Sequence, residues 1–282
     1  MFPPFDPEKD DRKPRARVFA RGQVPTRVLI PNIFTLLGLC AGLTAIRMAI
    51  EHRWDLAVAA LVFAAFLDGI DGRVARLLKA QSRFGAELDS LADFVNFGVA
   101  PAIIMFNWAL DDLKSTGWIA VLIYAVCAAL RLARFNVALD RTDLPAWKSS
   151  YFVGVPAPAG AMISLLPVYM EFVGTPHGFW TAPLVLVYTL AIGLLMISRV
   201  PTWSGKLIGR RVPRDQVLPL FVFVVLVAAL LVSFPWEMLT VLTLAYLASL
   251  PFSWNAWERL LKADRTAAGA AAVPAKGGEE EA

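Results

Sequence analysis

Two short runs of the sequence carry the residues best suited to chemistry: Leu67-Asp68-Gly69-Ile70-Asp71-Gly72-Arg73-Val74-Ala75-Arg76 and Phe84-Gly85-Ala86-Glu87-Leu88-Asp89-Ser90-Leu91-Ala92-Asp93. At about 3.6 residues per turn, Asp68 and Asp71 share a helix face with Gly72, Ala75 and Arg76, while Gly85, Asp89 and Asp93 line one stripe of the next helix. The short connection near residues 80–84 makes the two helices antiparallel neighbours, so the four carboxylates converge. The like-charge pairs among them, at about 6 Å and an effective dielectric near 20, would cost on the order of 15 kcal/mol. Something positive must lie between them. Arg76 supplies one charge, and an all-oxygen donor set with no His or Cys nearby suits hard divalent cations such as Mg²⁺, Mn²⁺ or Ca²⁺. Two ions are the natural count for four carboxylates. Gly72 and Gly85 lie on the same faces, where a missing side chain lets either a bulky phosphate ligand or a neighbouring helix approach the backbone.

The elements that must position these residues are membrane helices. Of 282 residues, 57% are hydrophobic and 18% charged, with mean hydropathy +0.58, whereas ordinary soluble domains carry about 25% charged residues. Residues 28–46, 94–110, 149–170, 172–198, 216–236 and 238–257 contain no Asp, Glu, Lys or Arg, lengths that match helices crossing a hydrocarbon layer. This composition excludes a soluble globule, a disordered chain, a collagen and a disulfide-rich secreted scaffold, and a net charge of +4 is too small to argue for nucleic acid.

The apolar runs and their breaks predict an all-α, polytopic membrane helix bundle of about eight transmembrane helices, near residues 28–50, 55–79, 86–108, 117–136, 154–172, 180–199, 215–234 and 237–260. The expected division is a polar cytoplasmic tail over 1–27, a six-helix catalytic core over 28–200, a C-terminal transmembrane hairpin over 201–262 and a disordered tail over 263–282. Eight spans put both tails on one side. Of the 27 basic residues, all but Arg47, Arg53 and Lys114 then fall on that side, which the positive-inside rule makes cytoplasmic. The aspartates lie at the inner ends of the second and third spans, so the chemistry faces the cytoplasm. Cys40 and Cys127, far apart within apolar stretches, read as buried inert thiols. The basic loop with Lys206, Arg210, Arg211 and Arg214 reads as sidedness plus attraction to anionic lipid headgroups.

The pattern Asp68-x₂-Asp71-Gly72-x₂-Ala75-Arg76-x₈-Gly85-x₃-Asp89-x₃-Asp93 resembles the signature of the CDP-alcohol phosphatidyltransferases. The resemblance implies a membrane enzyme in which Asp68, Asp71 and Asp89, with Asp93, hold two divalent cations, Mg²⁺ or Mn²⁺, that bind the diphosphate of a CDP-linked lipid. Asp93 is then the catalytic base for an incoming alcohol, and Gly72, Ala75, Arg76 and Gly85 line the CDP-lipid cleft. Asn32 and Thr35, in Pro31-Asn32-x₂-Thr35, either bond the cytidine or a phosphate or cap the first helix.

Within the family, Ala128-Ala129-Leu130-Arg131-Leu132-Ala133-Arg134-Phe135-Asn136 and Phe152-Val153-Gly154-Val155-Pro156-Ala157-Pro158-Ala159 resemble the bacterial phosphatidylserine synthases of the integral-membrane type. This implies CDP-diacylglycerol and L-serine as substrates, a homodimer among membrane lipids, and a multi-pass place in the bacterial inner membrane. Arg131 and Arg134, at i and i+3, offer a fork for the serine carboxylate, and Asn136 a partner for the ammonium or hydroxyl. Sidedness alone would also explain the two arginines. The resemblance spans roughly residues 28–165, and Gly38 and Asn96 depart from it, standing where Asn and Ser are frequent.

Three rival functions remain open at the level of sequence. One is the same transfer to another acceptor: glycerol 3-phosphate, choline or inositol phosphate. Another is a membrane prenyltransferase, which releases no CMP. The third, from a different class, is a carboxylate-based transporter, whose acidic groups should sit near the bilayer midplane rather than at its inner boundary.

Overall fold

The computed structural model describes residues 26–139, 151–203 and 214–271. The tail over 1–25, the basic residues Lys206, Arg210 and Arg211, and residues 272–282 lie outside the described residues. Helix α1 (Thr26–Ile50) folds back on α2 (Trp54–Leu77) through a tight turn in which His52 takes φ 57°. At the other end of α2 the chain turns again through Lys79, with φ 49°. Ser82 then caps α3 (Arg83–Asp93), its Oγ accepting the Gly85 N–H at 3.0 Å, the bond that satisfies an orphan donor of the first helical turn.

The third apolar rod is continuous but not uniform. After Asp93 the backbone opens into a π-helical turn (Phe94–Val99) before α4 (Ala100–Trp108). Such turns are rare and leave backbone carbonyls without their usual partners. Here the Tyr124 hydroxyl, from α5 (Ser115–Leu139), donates to Phe97 O at 3.3 Å. The wider turn carries Asn96, Phe97 and Gly98 into the interior.

The stretch expected as a single span over 154–172 is instead two helices, α6 (Ala157–Ser164) and α7 (Leu166–Phe172), broken at Leu165. Pro167, in the first turn of α7, explains the break, since it donates no N–H to continue α6 and its ring crowds the carbonyl four residues earlier. The chain then forms α8 (Thr181–Ile197), α9 (Arg214–Ser233) and α10 (Pro235–Ala271). Helix α10 passes its expected end and includes residues 263–271, so this part of the segment expected to be disordered is helical.

A two-stranded antiparallel ladder, which hydropathy does not reveal, joins β1 (Tyr151–Val153) to β2 (Pro201–Trp203), pairing Tyr151 with Trp203, Phe152 with Thr202 and Val153 with Pro201. Gly154, next to β1, has φ 81°, and a Cβ there would stand 2.4 Å from Met196 O. Its N–H donates to Val200 O at 2.8 Å and its carbonyl accepts from Thr202 Oγ1 at 3.0 Å. From α10, Ser253 Oγ donates to Pro201 O at 2.8 Å. The last helix therefore braces the ladder that joins the start of α6 to the end of α8.

The core runs through Leu61, Ile104, Met105, Tyr124, Leu165, Tyr169 and Met196, all fully buried. The outside is apolar as well: Leu36, Leu37, Phe63, Phe66, Leu122, Leu184 and Leu194 face outward, and α9 is exposed from Gln216 to Leu226. Apolar surface of this extent is suited to lipid rather than water. Among the described residues, four helical stretches are long and apolar enough to cross a membrane: Leu29–Ile50, Arg83–Trp108, Ser115–Ala138 and Gln216–Ser233. Helix α8 is apolar but shorter, and α2 carries Asp55, Asp68, Asp71, Arg73 and Arg76.

Cys127 is buried as expected, but Cys40 is exposed on the outer face of α1, because only one stripe of that helix packs on the bundle. At Gly154, replacement by Ala combines positive φ with a backbone clash. We expect a loss of about 1–3 kcal/mol, read as a lower unfolding midpoint of the detergent-solubilised protein.

Candidate functional site

The charged end of α2 and the second half of α3 face each other as the spacing predicts. Carboxylate oxygens of Asp68, Asp71 and Asp89 lie within 4.8 Å of one another. Asp93, one turn deeper than Asp89, meets Asp68 within hydrogen-bonding reach and keeps its Oδ1 buried without a partner. Three carboxylates therefore share one point, and the fourth adjoins it. Among the described residues Arg76 makes no ion pair with any of them. It lies instead along its own helix, with Nη1 3.8 Å from where a Cβ on Gly72 would stand.

Such a set of oxygens, with no compensating side-chain cation in contact, fits a divalent ion. The donors are hard, close enough to converge on one centre, and partly shielded from water. Asp71 is only 4% exposed.

Helix α1 supplies the support. Thr35 Oγ1 lies 2.9 Å from Asp71 Oδ2 and 3.2 Å from Pro31 O, itself buried. Neither role expected for Thr35 is the bond it makes: its hydroxyl addresses the carboxylate and fixes its orientation. Asn32 packs over α3, its Oδ1 2.9 Å from where a Cβ on Gly85 would stand, with Ser82 Oγ at 3.1 Å.

The two glycines thus separate. Gly85 is closed, its missing side chain making room for Asn32 and the cap, so of the two readings open for it the neighbouring helix is the one seen. Gly72 faces open space apart from Arg76, with Ala75 half-buried on the same helix. The departures Gly38 and Asn96 meet each other. Asn96 is 2% exposed, its Nδ2 lies 3.7 Å from a Cβ position on Gly38, and its amide occupies the space a side chain on Gly42 would need. The π turn thereby presents an amide to the interface with α1.

The expected acceptor fork does not form. Arg131 points inward, 7% exposed, stacked with Cζ 5.1 Å from the Phe135 ring centre and under the electrostatic influence of Asp93. Arg134 turns away to α8, where its Nη1 donates to Ile197 O at 2.6 Å. A cation on the last carbonyls of a helix is favourable for the helix dipole, so this arginine ties α5 to α8. Asn136 Nδ2 donates to Ser90 Oγ at 2.9 Å, linking α5 to the residue after Asp89. Of the three, Arg131 alone approaches the carboxylates from the interior.

Second-layer bonds to metal ligands typically change affinity 10–100-fold. Thr35→Val keeps the shape and removes the bond to Asp71, and we expect it to weaken Mn²⁺ binding by about tenfold, measured by electron paramagnetic resonance of free Mn²⁺ with the purified protein.

Comparison with known proteins agrees with this geometry. The family model described as CDP-alcohol phosphatidyltransferase matches residues 28–250. A protein of Mycobacterium leprae named CDP-diacylglycerol–serine O-phosphatidyltransferase is 43% identical over 244 residues, covering 86% of this chain and 78% of its own length. Proteins of the same name from Helicobacter pylori (strain 26695) and Methanocaldococcus jannaschii are 32% and 34% identical, covering 78% and 64% of this chain and 88% and 77% of their own lengths. The aspartate motif, its placement on α2 and α3, and a match over most of the sequence agree: the chain belongs to the CDP-alcohol phosphatidyltransferase family.

Proposed function

We propose that the protein transfers the phosphatidyl group of CDP-diacylglycerol to the hydroxyl of L-serine, releasing CMP and forming phosphatidylserine. The observation that carries this reading is the convergence of Asp68, Asp71 and Asp89 beside Asp93, in a chain whose relatives bear the name of that reaction.

Two divalent cations, Mg²⁺ or Mn²⁺, held by Asp68, Asp71, Asp89 and Asp93, would neutralise the diphosphate and the departing CMP. The residues of the chain do the rest. Gly72, with open space above its backbone, admits the diphosphate to the face of α2, and Ala75 and Arg76 border it. Asn32, Thr35 and Gly85 hold that wall in register. Asp93 takes the proton from the serine hydroxyl as the oxygen attacks the phosphorus linked to diacylglycerol and the P–O bond to CMP breaks. Its free Oδ1 supports that role, since no protein donor occupies it. Arg131 receives the serine carboxylate, supported by its buried place near Asp93. Arg134 and Asn136, engaged with α8 and Ser90, contribute by holding α5.

The same reading has eight spans, with both ends and the aspartates on the cytoplasmic side of the bacterial inner membrane and the chain working as a homodimer. The distribution of basic residues supports the sidedness. The catalytic core is residues 28–200, and the hairpin over 201–262 meets it through α10.

Purified protein given CDP-diacylglycerol with serine, glycerol 3-phosphate or choline in parallel should release CMP with serine, and chelator should abolish the release. Exclusive use of another acceptor would overturn the substrate. Asp89→Asn and Asp93→Asn should each fold in the membrane yet lose CMP formation by at least about 10²-fold; near-normal turnover in either removes that residue from the mechanism.

A further inference from the structure

Buried side-chain polar atoms that make no hydrogen bond are uncommon, and a native fold that keeps one needs a reason, such as a ligand that completes it. Among the described residues there are four: Asp93 Oδ1, Asn96 Oδ1, Thr189 Oγ1 and Tyr246 OH. Three of them belong to the same region. Asp93 and Tyr246 both act electrostatically on Arg131, and Asn96 follows Asp93 within the π turn.

Tyr246 comes from α10, far in sequence from the aspartate motif. Its ring packs against the main core, and its hydroxyl adjoins Thr202, whose own proton is committed to Gly154 O at 3.0 Å. Ser253 on the same helix donates to Pro201 O, beside Thr202, at 2.8 Å, which ties this stretch of α10 to the ladder. A buried O–H without a bond of its own is thus carried on a braced helix into the electrostatic surroundings of the Arg131 guanidinium.

A carboxylate accepts up to about four hydrogen bonds, and a guanidinium fork fills two of these sites. We propose that Tyr246 is a specificity-determining residue for the acceptor: its O–H, together with the Arg131 guanidinium, receives the carboxylate of the amino-acid substrate, so the last span completes the acceptor pocket. The inference rests on the assignment of Arg131 to that carboxylate made above. Its chemical consequence is selection. A neutral amide or a simple amino alcohol would leave the buried donors unpaired, and a site built to pair a polar group rejects ligands that lack it far more strongly than a greasy pocket rejects a misfit.

Tyr246→Phe keeps the ring and deletes the donor. In the full-length detergent-solubilised enzyme, KM for L-serine should rise about tenfold, with kcat and the KM for CDP-diacylglycerol changed by less than about twofold. Competition by L-serinamide, which keeps the hydroxyl and ammonium but lacks the carboxylate, should be unaltered. An unchanged KM for serine, or a loss of kcat with KM unmoved, overturns the inference.

Arg131→Lys separates the two levels. If it raises KM for serine while Tyr246→Phe does not, the Tyr246 role alone fails; if neither variant moves it, the assignment of Arg131 fails too. A readout without a folding risk is 3-fluorotyrosine at position 246 in otherwise unaltered protein. Its ¹⁹F resonance should shift on saturation with L-serine and stay in place with L-serinamide, and no shift with L-serine counts against the role.

Discussion

Mutual repulsion among four carboxylates brought together by α2 and α3 is the constraint around which this molecule is arranged. Left to themselves, Asp68, Asp71, Asp89 and Asp93 would splay α2 and α3 apart, since like charges a few ångströms apart at reduced dielectric cost several kcal/mol per pair. The fold resists this with helix α1 rather than with a basic side chain. Thr35 holds Asp71, Asn32 fills the gap at Gly85, and Gly38 and Gly42 let Asn96 nest against the same helix. Residual negative charge is therefore retained rather than cancelled, which suits a site that binds cations and, through them, a diphosphate. Had Arg76 folded onto the cluster, the protein would have satisfied itself and lost that capacity.

The same constraint explains the division of labour among the cations of α5. Arg131 and Arg134 are one helical turn apart and chemically identical, yet only Arg131 runs into the interior toward Asp93. Arg134 reaches the last carbonyls of α8. The depth of each residue decides the outcome. A guanidinium buried within reach of a carboxylate recovers part of its desolvation cost, whereas one at the helix end finds carbonyl oxygens and solvent instead.

Much of this was legible in the sequence. The convergence of the aspartates followed from spacing on two helices and a short turn, and the apolar runs marked the main rods because a bilayer demands length and hydrophobicity together. What was not legible depends on contacts across distant segments. The closure of Gly85 requires knowing where Asn32 falls, and the paths of Arg134 and Asn136 require the end of α8 and Ser90. The ladder pairing residues 151–153 with 201–203 is too short to leave an alternating signature. The π turn has no compositional mark. A break at Leu165 was readable from Pro167, but the surrounding hydrophobicity outweighed it. Tyr246 lacked any local signal, being one hydroxyl in an apolar helix.

That last helix changes how the enzyme's parts relate. The aspartate motif by itself describes a device for gripping a diphosphate, and nothing in it distinguishes one acceptor from another. Distinguishing them needs further polar groups, and among the described residues the buried ones left without a bond include Asn96 of the π turn and Tyr246 of α10, the helix that braces the ladder. On α2 the open face at Gly72 adjoins apolar side chains turned outward, Phe66 and Leu77. The carboxylates need only α2, α3 and the support of α1, so the helices beyond them are free to build a wall that is rigid without sharing their charge.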